Sequence, residues 1–313
     1  MSTTTVPPST KPMPVAGSGL EPTKSSWFVR IAVLIIVIAW LIPTAGVLIT
    51  SFRPESLVDS TGWWTAFAHI FDSSQWTLEN YTLALDTGGF GSAFLNSLAV
   101  AIPATVIPIT IAAFAAYAFS WMDFRGRYFM FIAVVALLVV PLQMALIPVL
   151  KLYSQGAILG GRYVFPDLDL NGTFLGVWLA HTAFGLPLAV YLLRNYIGSL
   201  PSSIIESAKI DGADHFTIFW RLIIPLSVPA LAAFAIFQFL WVWNDLLVAY
   251  VFLGGTRETR VLTIALQGLL GEQGENWHLL TAAAFISMSL PLIVFFALQK
   301  YFVRGLTAGA VKG

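Results

Sequence analysis

The sequence predicts an all-α integral membrane protein with six transmembrane helices. Of its 313 residues, 58% are hydrophobic and only 10% charged, and the mean hydropathy is +0.81. A water-soluble domain this apolar would expose more hydrophobic surface than stays in solution. Apolar runs fall at 31–49, 98–119, 128–150, 172–193, 222–253 and 279–298. About 20 apolar residues in a helix cross the ~30 Å hydrocarbon core, so each run is long enough to span.

Taken in order, residues 1–26 are rich in Thr, Ser, Pro and Gly without apolar periodicity and read as a disordered tail. The first span is placed at 27–51. Its apolar stretch is longer than a signal-peptide core of about 7–15 residues, so it reads as an uncleaved anchor. Residues 52–92 form a long extracytoplasmic segment carrying Trp63, Trp64, Trp76 and Tyr81. It suits either a docking surface or an interfacial cap with belt tryptophans. The core, 93–303, holds spans at 93–120, 127–151, 172–194, 222–253 and 278–299. A polar loop at 195–221 divides the fourth span from the fifth, and a tail covers 304–313. The fifth run carries Pro225 and Pro229 at its start, where proline is tolerated, so part of it is expected at the membrane interface.

Positive charge sets the orientation. With the N-terminus inside, 11 of the 16 Lys and Arg fall on inner segments and 5 on outer ones, an asymmetry hidden by the net charge of zero. Both termini and the 195–221 loop are then cytoplasmic. The absence of cysteine excludes disulfides, thiolate catalysis and Cys-based metal sites. No Gly-x-x-x-x-Gly-Lys-Ser/Thr phosphate loop occurs, so the chain has no ATPase machinery of its own. No His/Asp/Glu metal set or nucleophile–base pair is evident, which argues against a membrane enzyme. The six spans do not split into two similar halves, which weakens the reading as an ion-coupled secondary carrier acting alone.

Polar residues inside spans mark function or assembly. Gln238, Trp241 and Asp245 share a helical face at spacings of three and four, continued by Ala249, with Asn244 adjacent. An unpaired Asp at mid-span costs about 2.5–3.5 kcal/mol on insertion scales, so Asp245 is expected to face a cavity or a partner group. An aromatic ring beside an amide and a carboxylate suits a sugar, and the same face suits interhelical contacts. Gln143 and His181 are single polar residues and read as helix contacts. Pro141, Pro148, Pro187 and Pro291 lie inside spans and predict kinks.

The polar island from Glu206 to Pro225 reads as two short amphipathic helices hinged at Gly212. Ile204, Ile205 and Ala208 form one apolar stripe, with Ser202 or Ser203 as the cap, and Phe216, Phe219 and Trp220 form the second. Such a pair can lie flat on headgroups or dock a partner outside the bilayer.

Glu206-Ser207-Ala208, Gly212 six positions after the Glu, and Leu222-Ile223-Ile224-Pro225 resemble the Glu-Ala-Ala loop of permease subunits from binding-protein-dependent ABC importers. Ile210-Asp211-Gly212-Ala213, Phe219-Trp220-Arg221 and Trp243-Asn244-Asp245 resemble the carbohydrate branch. The ending Gly305 to Gly313 is similar to that of the maltose-type second permease. Ser207 stands where Ala is usual, Leu222 where Ile is, and Ile224 where Leu is.

The resemblance implies a type I importer permease fold whose cytoplasmic coupling helix, involving Glu206, Ser207, Ala208, Asp211, Gly212, Ala213, Phe216 and Pro225, docks on an ATPase. It implies a second, different permease, an ATPase dimer that binds ATP and Mg, and an extracytoplasmic sugar-binding protein. No cofactor is expected on this chain, and no nucleic-acid partner. The tail residues Ala310, Val311, Lys312 and Gly313 are implied to reach the ATPase. The wording around Trp178 to Arg194 and Phe237 to Asp245 looks closest to permeases for α-glucosides, in a bacterial or archaeal cytoplasmic membrane.

Overall fold

The computed structural model describes residues 27–86, 89–269 and 276–308, with side chains described through Gln299. Residues 1–26 of the expected tail, and Ala310 to Gly313, lie outside the described residues. The chain divides into two compact units, residues 1–45 and 46–313.

The first unit is the body of α1 (Trp27–Ser51), whose side chains from 27 to 44 are almost all exposed. A helix apolar all round is built for lipid or another helix rather than water. The remaining helices belong to the second unit. They are α2 (Glu55–Ser60), α3 (Glu79–Asp86), α4 (Phe90–Ala101), α5 (Pro103–Trp121), α6 (Arg127–Ala136), α7 (Leu142–Gln155), α8 (Phe174–Ile197), α9 (Ser202–Ile210), α10 (His215–Ile218), α11 (Ile224–Trp243), α12 (Leu247–Leu253), α13 (Leu262–Leu269) and α14 (Trp277–Ala308).

Among the described residues five helical stretches are long and apolar enough to cross a membrane: Trp27–Ser51, Phe90–Trp121, Phe174–Ile197, His215–Trp243 and Trp277–Gln299. The expected span at 127–151 is instead two helical pieces, Arg127–Val139 and Leu142–Gln155, bent by 107°. Pro141 is the cause. Val140, just before it, takes the extended conformation that a following proline ring imposes (φ −74°, ψ 117°). Pro148, Pro187 and Pro291 stay within continuous helices, so of the four expected kinks only Pro141 breaks its span.

Three further boundaries move. The second span starts at Phe90 rather than 93, with α4 and α5 forming one stretch across Ile102. The fifth does not run from 222 to 253. It begins at His215, because α10 passes through a π-turn at Phe219–Ile223 into α11, and it stops at Trp243. The sixth continues as helix to Ala308, taking in the first residues of the expected 304–313 tail. A short antiparallel hairpin, β1 (Ala157–Leu159) with β2 (Arg162–Phe165), turns at Gly160-Gly161 and is the one departure from an all-helical fold among the described residues.

Two apolar cores hold the second unit together. In the first, Phe90, Val177, Trp243, Phe252, Leu262 and Ala282 join α4, α8, α11, α12, α13 and α14. The second collects Ala112, Tyr117, Leu193, Ile197, Ile205, Ile218, Phe219 and Ile223 from α5, α8 and the 198–223 segment. Small residues make the close packing possible. Gly185 of α8 lies against Gln238 of α11, where an added Cβ would stand 2.7 Å from the amide.

Residues 52–86 fold around Arg53, which is 1% exposed. Its guanidinium donates to the carbonyl of Gly62 (2.9 Å) and the hydroxyl of Thr61 (2.7 Å), while Asn80 donates to the carbonyls of Ser51 and Arg53. These hydrogen bonds make the segment a folded cap, with Trp64, Phe67 and Phe71 on its outside.

Candidate functional site

The polar loop is a built turn. Helix α9 ends in a Schellman arrangement, in which the N–H of Ala213 donates to the carbonyl of Ala208 (2.9 Å) and that of Gly212 to Lys209 (3.1 Å). Gly212 has φ +81°, a left-handed value that side chains disfavour, and an added Cβ would meet no atom within 4 Å. The turn needs glycine for its backbone, not for space. Ile205 is buried in the second core and anchors the loop. Ala208 and Ala213 are half-buried, whereas Glu206, Ser207, Asp211, Gly212 and Pro225 are exposed.

On either side of the turn, two apolar side chains point away from that core: Ile210 is 86% exposed and Phe216 68%. Neither expected serine caps α9, whose N-cap position is Pro201 without a side-chain cap. The expected second amphipathic helix is α10, and it is continuous with the fifth span rather than separate.

Asp214 caps α10, accepting from the backbone N–H of Thr217 at 2.8 Å. Hydrogen bonds from Thr217, side chain first and backbone second, hold its carboxyl below the usual carboxylate range. A depressed folded value means the cap is present above the ordinary carboxylate pKa and lost as pH falls through the lowered value. Asp214→Ala is therefore expected to speed amide exchange at Thr217 at neutral pH, and Asp214→Asn to leave it near wild type. Exchange read by mass spectrometry at neutral pH checks this, and equal protection in all three proteins would refute the cap.

The polar face of the fifth span is broken. Asn244 takes φ −90°, ψ 0° and ends α11, its side-chain amide turning back to the carbonyl of Leu240. Asp245 then caps α12, its carboxylate accepting from the N–H groups of Ala249 (2.9 Å) and Val248 (3.3 Å). Gln238, Trp241 and Asp245 thus do not lie on one helix with Ala249.

Tertiary packing returns them to one seam against α8. Gln238 is fully buried and donates to the carbonyl of Ala104 at 3.2 Å. His181 is also fully buried, 6.0 Å from the Trp241 ring centre and 3.8 Å from Asp245 Oδ2, with neither ring nitrogen hydrogen-bonded. Trp241 faces the other way as well, lining a 350 Å³ cavity with Ile236, Phe237, Leu240 and Phe295.

Residues 108–308 match the model of the binding-protein-dependent transport system inner membrane component. The chain belongs to that family.

Relatives agree over nearly the full length. The chain is 59% identical over 284 residues to the osmoprotective compounds uptake permease protein GgtD of Synechocystis sp., covering 91% of each chain. It is 43% identical to the alpha-glucoside transport system permease protein AglG of Rhizobium meliloti, covering 94% of this chain and all of the relative. In fold it is similar to a bacterial ABC transporter involved in the import of the acidic polysaccharide alginate. There the TM-score is 0.68 at 21% identity, over 88% of this chain and 96% of that one.

Within this permease fold the expected loop residues from Glu206 to Phe216 stand on one turn, with Pro225 a few residues on in α11. The sequence reading missed the groups that fasten the turn to α5. The hydroxyl of Tyr117 and Nδ1 of His215 are 2.8 Å apart, and Phe114 stacks on Phe219 with ring centres 4.5 Å apart. Tyr117 and His215 are 98 positions apart, and no periodicity links them. It also took His181 for an isolated contact, although Asp245 in a span was the signal that a second polar group was required.

Proposed function

We propose that this chain is one of two different permease subunits of an ATP-driven importer and that it forms half of the translocation pathway. The observation that carries this reading is the Gly212 turn, with Ile210 and Phe216 exposed beside Glu206 and rooted by Ile205 in the bundle core. Apolar side chains held outward on a rigid turn fit a groove on another protein. The 204–225 loop docks on one subunit of a cytoplasmic ATPase dimer, which binds ATP and Mg. This chain binds no cofactor itself. Ala310, Val311, Lys312 and Gly313 add a second ATPase contact.

Both termini lie in the cytoplasm, a reading that the excess of basic residues on the loop side supports, and the membrane is the cytoplasmic membrane of a bacterium or archaeon. An extracytoplasmic binding protein delivers the solute. The solute class is an α-glucoside or other oligosaccharide. The name of the alpha-glucoside relative supports it, as does Trp241, an aromatic ring beside the His181–Asp245 seam at an open cavity.

Tagged chain purified in detergent from its native membrane is expected to bring down a second permease and an ATPase. The Glu206→Lys, Gly212→Pro double variant is expected to retain the permease and lose the ATPase. Recovery of the chain alone in both forms would overturn the proposal and favour an ion-coupled carrier. Uptake of radiolabelled trehalose, maltose and sucrose by the same cells tests the solute class.

A further inference from the structure

The docking turn is tied to two spans at once. Through its own chain, Phe216 leads along α10 and the π-turn Phe219–Ile223 into α11. Through side chains it is tied to the end of α5. The Tyr117 hydroxyl meets His215 Nδ1 at 2.8 Å, and Phe114 lies flat on Phe219 (4.5 Å, 19°). Tyr117 also leans on Phe219 at 5.5 Å, and Trp220 stands edge-on to Phe114 at 6.1 Å. Tyr117 is 4% exposed and Phe219 3%, whereas His215, Phe114 and Trp220 are exposed, so the contacts run from the core to its edge. A π-turn, with one residue more per turn than its helical neighbours, is a common place for a helix to yield.

We infer that Tyr117 and His215 are positioning residues that make α5 and α11 move as one body when the turn is displaced. The aromatic stack supplies area without direction, since rings slide over one another at little cost. The hydroxyl–imidazole bond fixes the register of the two helices, because its energy falls steeply with angle and distance. Without it, displacement of Phe216 would be absorbed at the π-turn and reach α11 alone. This inference rests on the proposed docking of the loop on an ATPase.

The test uses the complex purified with its partners and returned to liposomes, reading solute transported per ATP hydrolysed with the trehalose, maltose and sucrose panel. Tyr117→Phe and His215→Phe keep the rings and lose the bond. Each is expected to lower the ratio about three- to tenfold, the size of one net hydrogen bond. The double variant should fall no further, and His215→Asn, which keeps an acceptor near the Nδ1 position, should recover much of it. Unchanged ratios in the single variants, or losses that multiply in the double variant, would overturn the inference. Should Tyr117→Phe fail to assemble, equal ratios in His215→Phe and His215→Asn would overturn it instead. Gly212→Pro run alongside separates the two levels: normal transport in that variant sinks the docking reading, whereas lost transport there with normal ratios in the Tyr117 and His215 variants sinks only the relay.

Discussion

Gly212→Pro is expected to abolish solute uptake while every span remains inserted. Proline fixes φ near −65°, and Gly212 stands at +81°. The substitution also removes the N–H that donates to Lys209 and disfavours the helical conformation of Asp211 just before it. The Schellman turn cannot form, so Ile210 and Phe216 lose their relative placement. Gly212→Ala is the milder companion. It costs about 1–2 kcal/mol for a left-handed side chain, and no neighbour is close enough to clash. Uptake in cells, with membrane insertion checked by protease accessibility, decides the matter. Wild-type uptake in the proline variant would remove the turn from the coupling path.

The second large effect is at Asp245. Asp245→Ala strips the acceptor from the N–H groups of Val248 and Ala249, a cap worth about 0.5–2 kcal/mol. It also leaves the buried His181 ring without its acidic neighbour at 3.8 Å. A cap loss of that size corresponds to about a two- to thirtyfold change in the population of the competent α11–α12 break. Asp245→Asn keeps one acceptor oxygen where the carboxyl has two. It is expected to lower uptake while the second permease still co-purifies. An Asn variant that transports normally but fails to associate would make Asp245 an assembly contact and remove it from the solute path.

The two sites were legible to different degrees. The turn could be read from Glu206, Gly212 and Pro225 because a left-handed glycine and a helix-start proline are local demands that a short stretch of chain states by itself. The break after Trp243 was not read, because no glycine or proline marks it. The available sign was Asn244-Asp245, two residues whose short polar side chains compete for backbone groups and favour helix ends. An apolar run that continued to Leu253 outweighed it. The bend at Pro141 shows the converse: that proline shares its apolar run with Pro148, and Pro187 lies in a similar one, yet only Pro141 breaks its span.

What the sequence determined alone is the class, the positions of the apolar runs, and the chemistry of the turn. Hydropathy and backbone preference act over a few residues to a few turns, so they survive without knowledge of what packs on what. Tertiary structure decided which polar residues meet. It put His181 beside Asp245, Gln238 against Gly185 and Tyr117 onto His215. Those pairings depend on the rotation and depth at which helices distant in sequence settle together. The close packing of small residues sets both, and no periodicity within one segment encodes them.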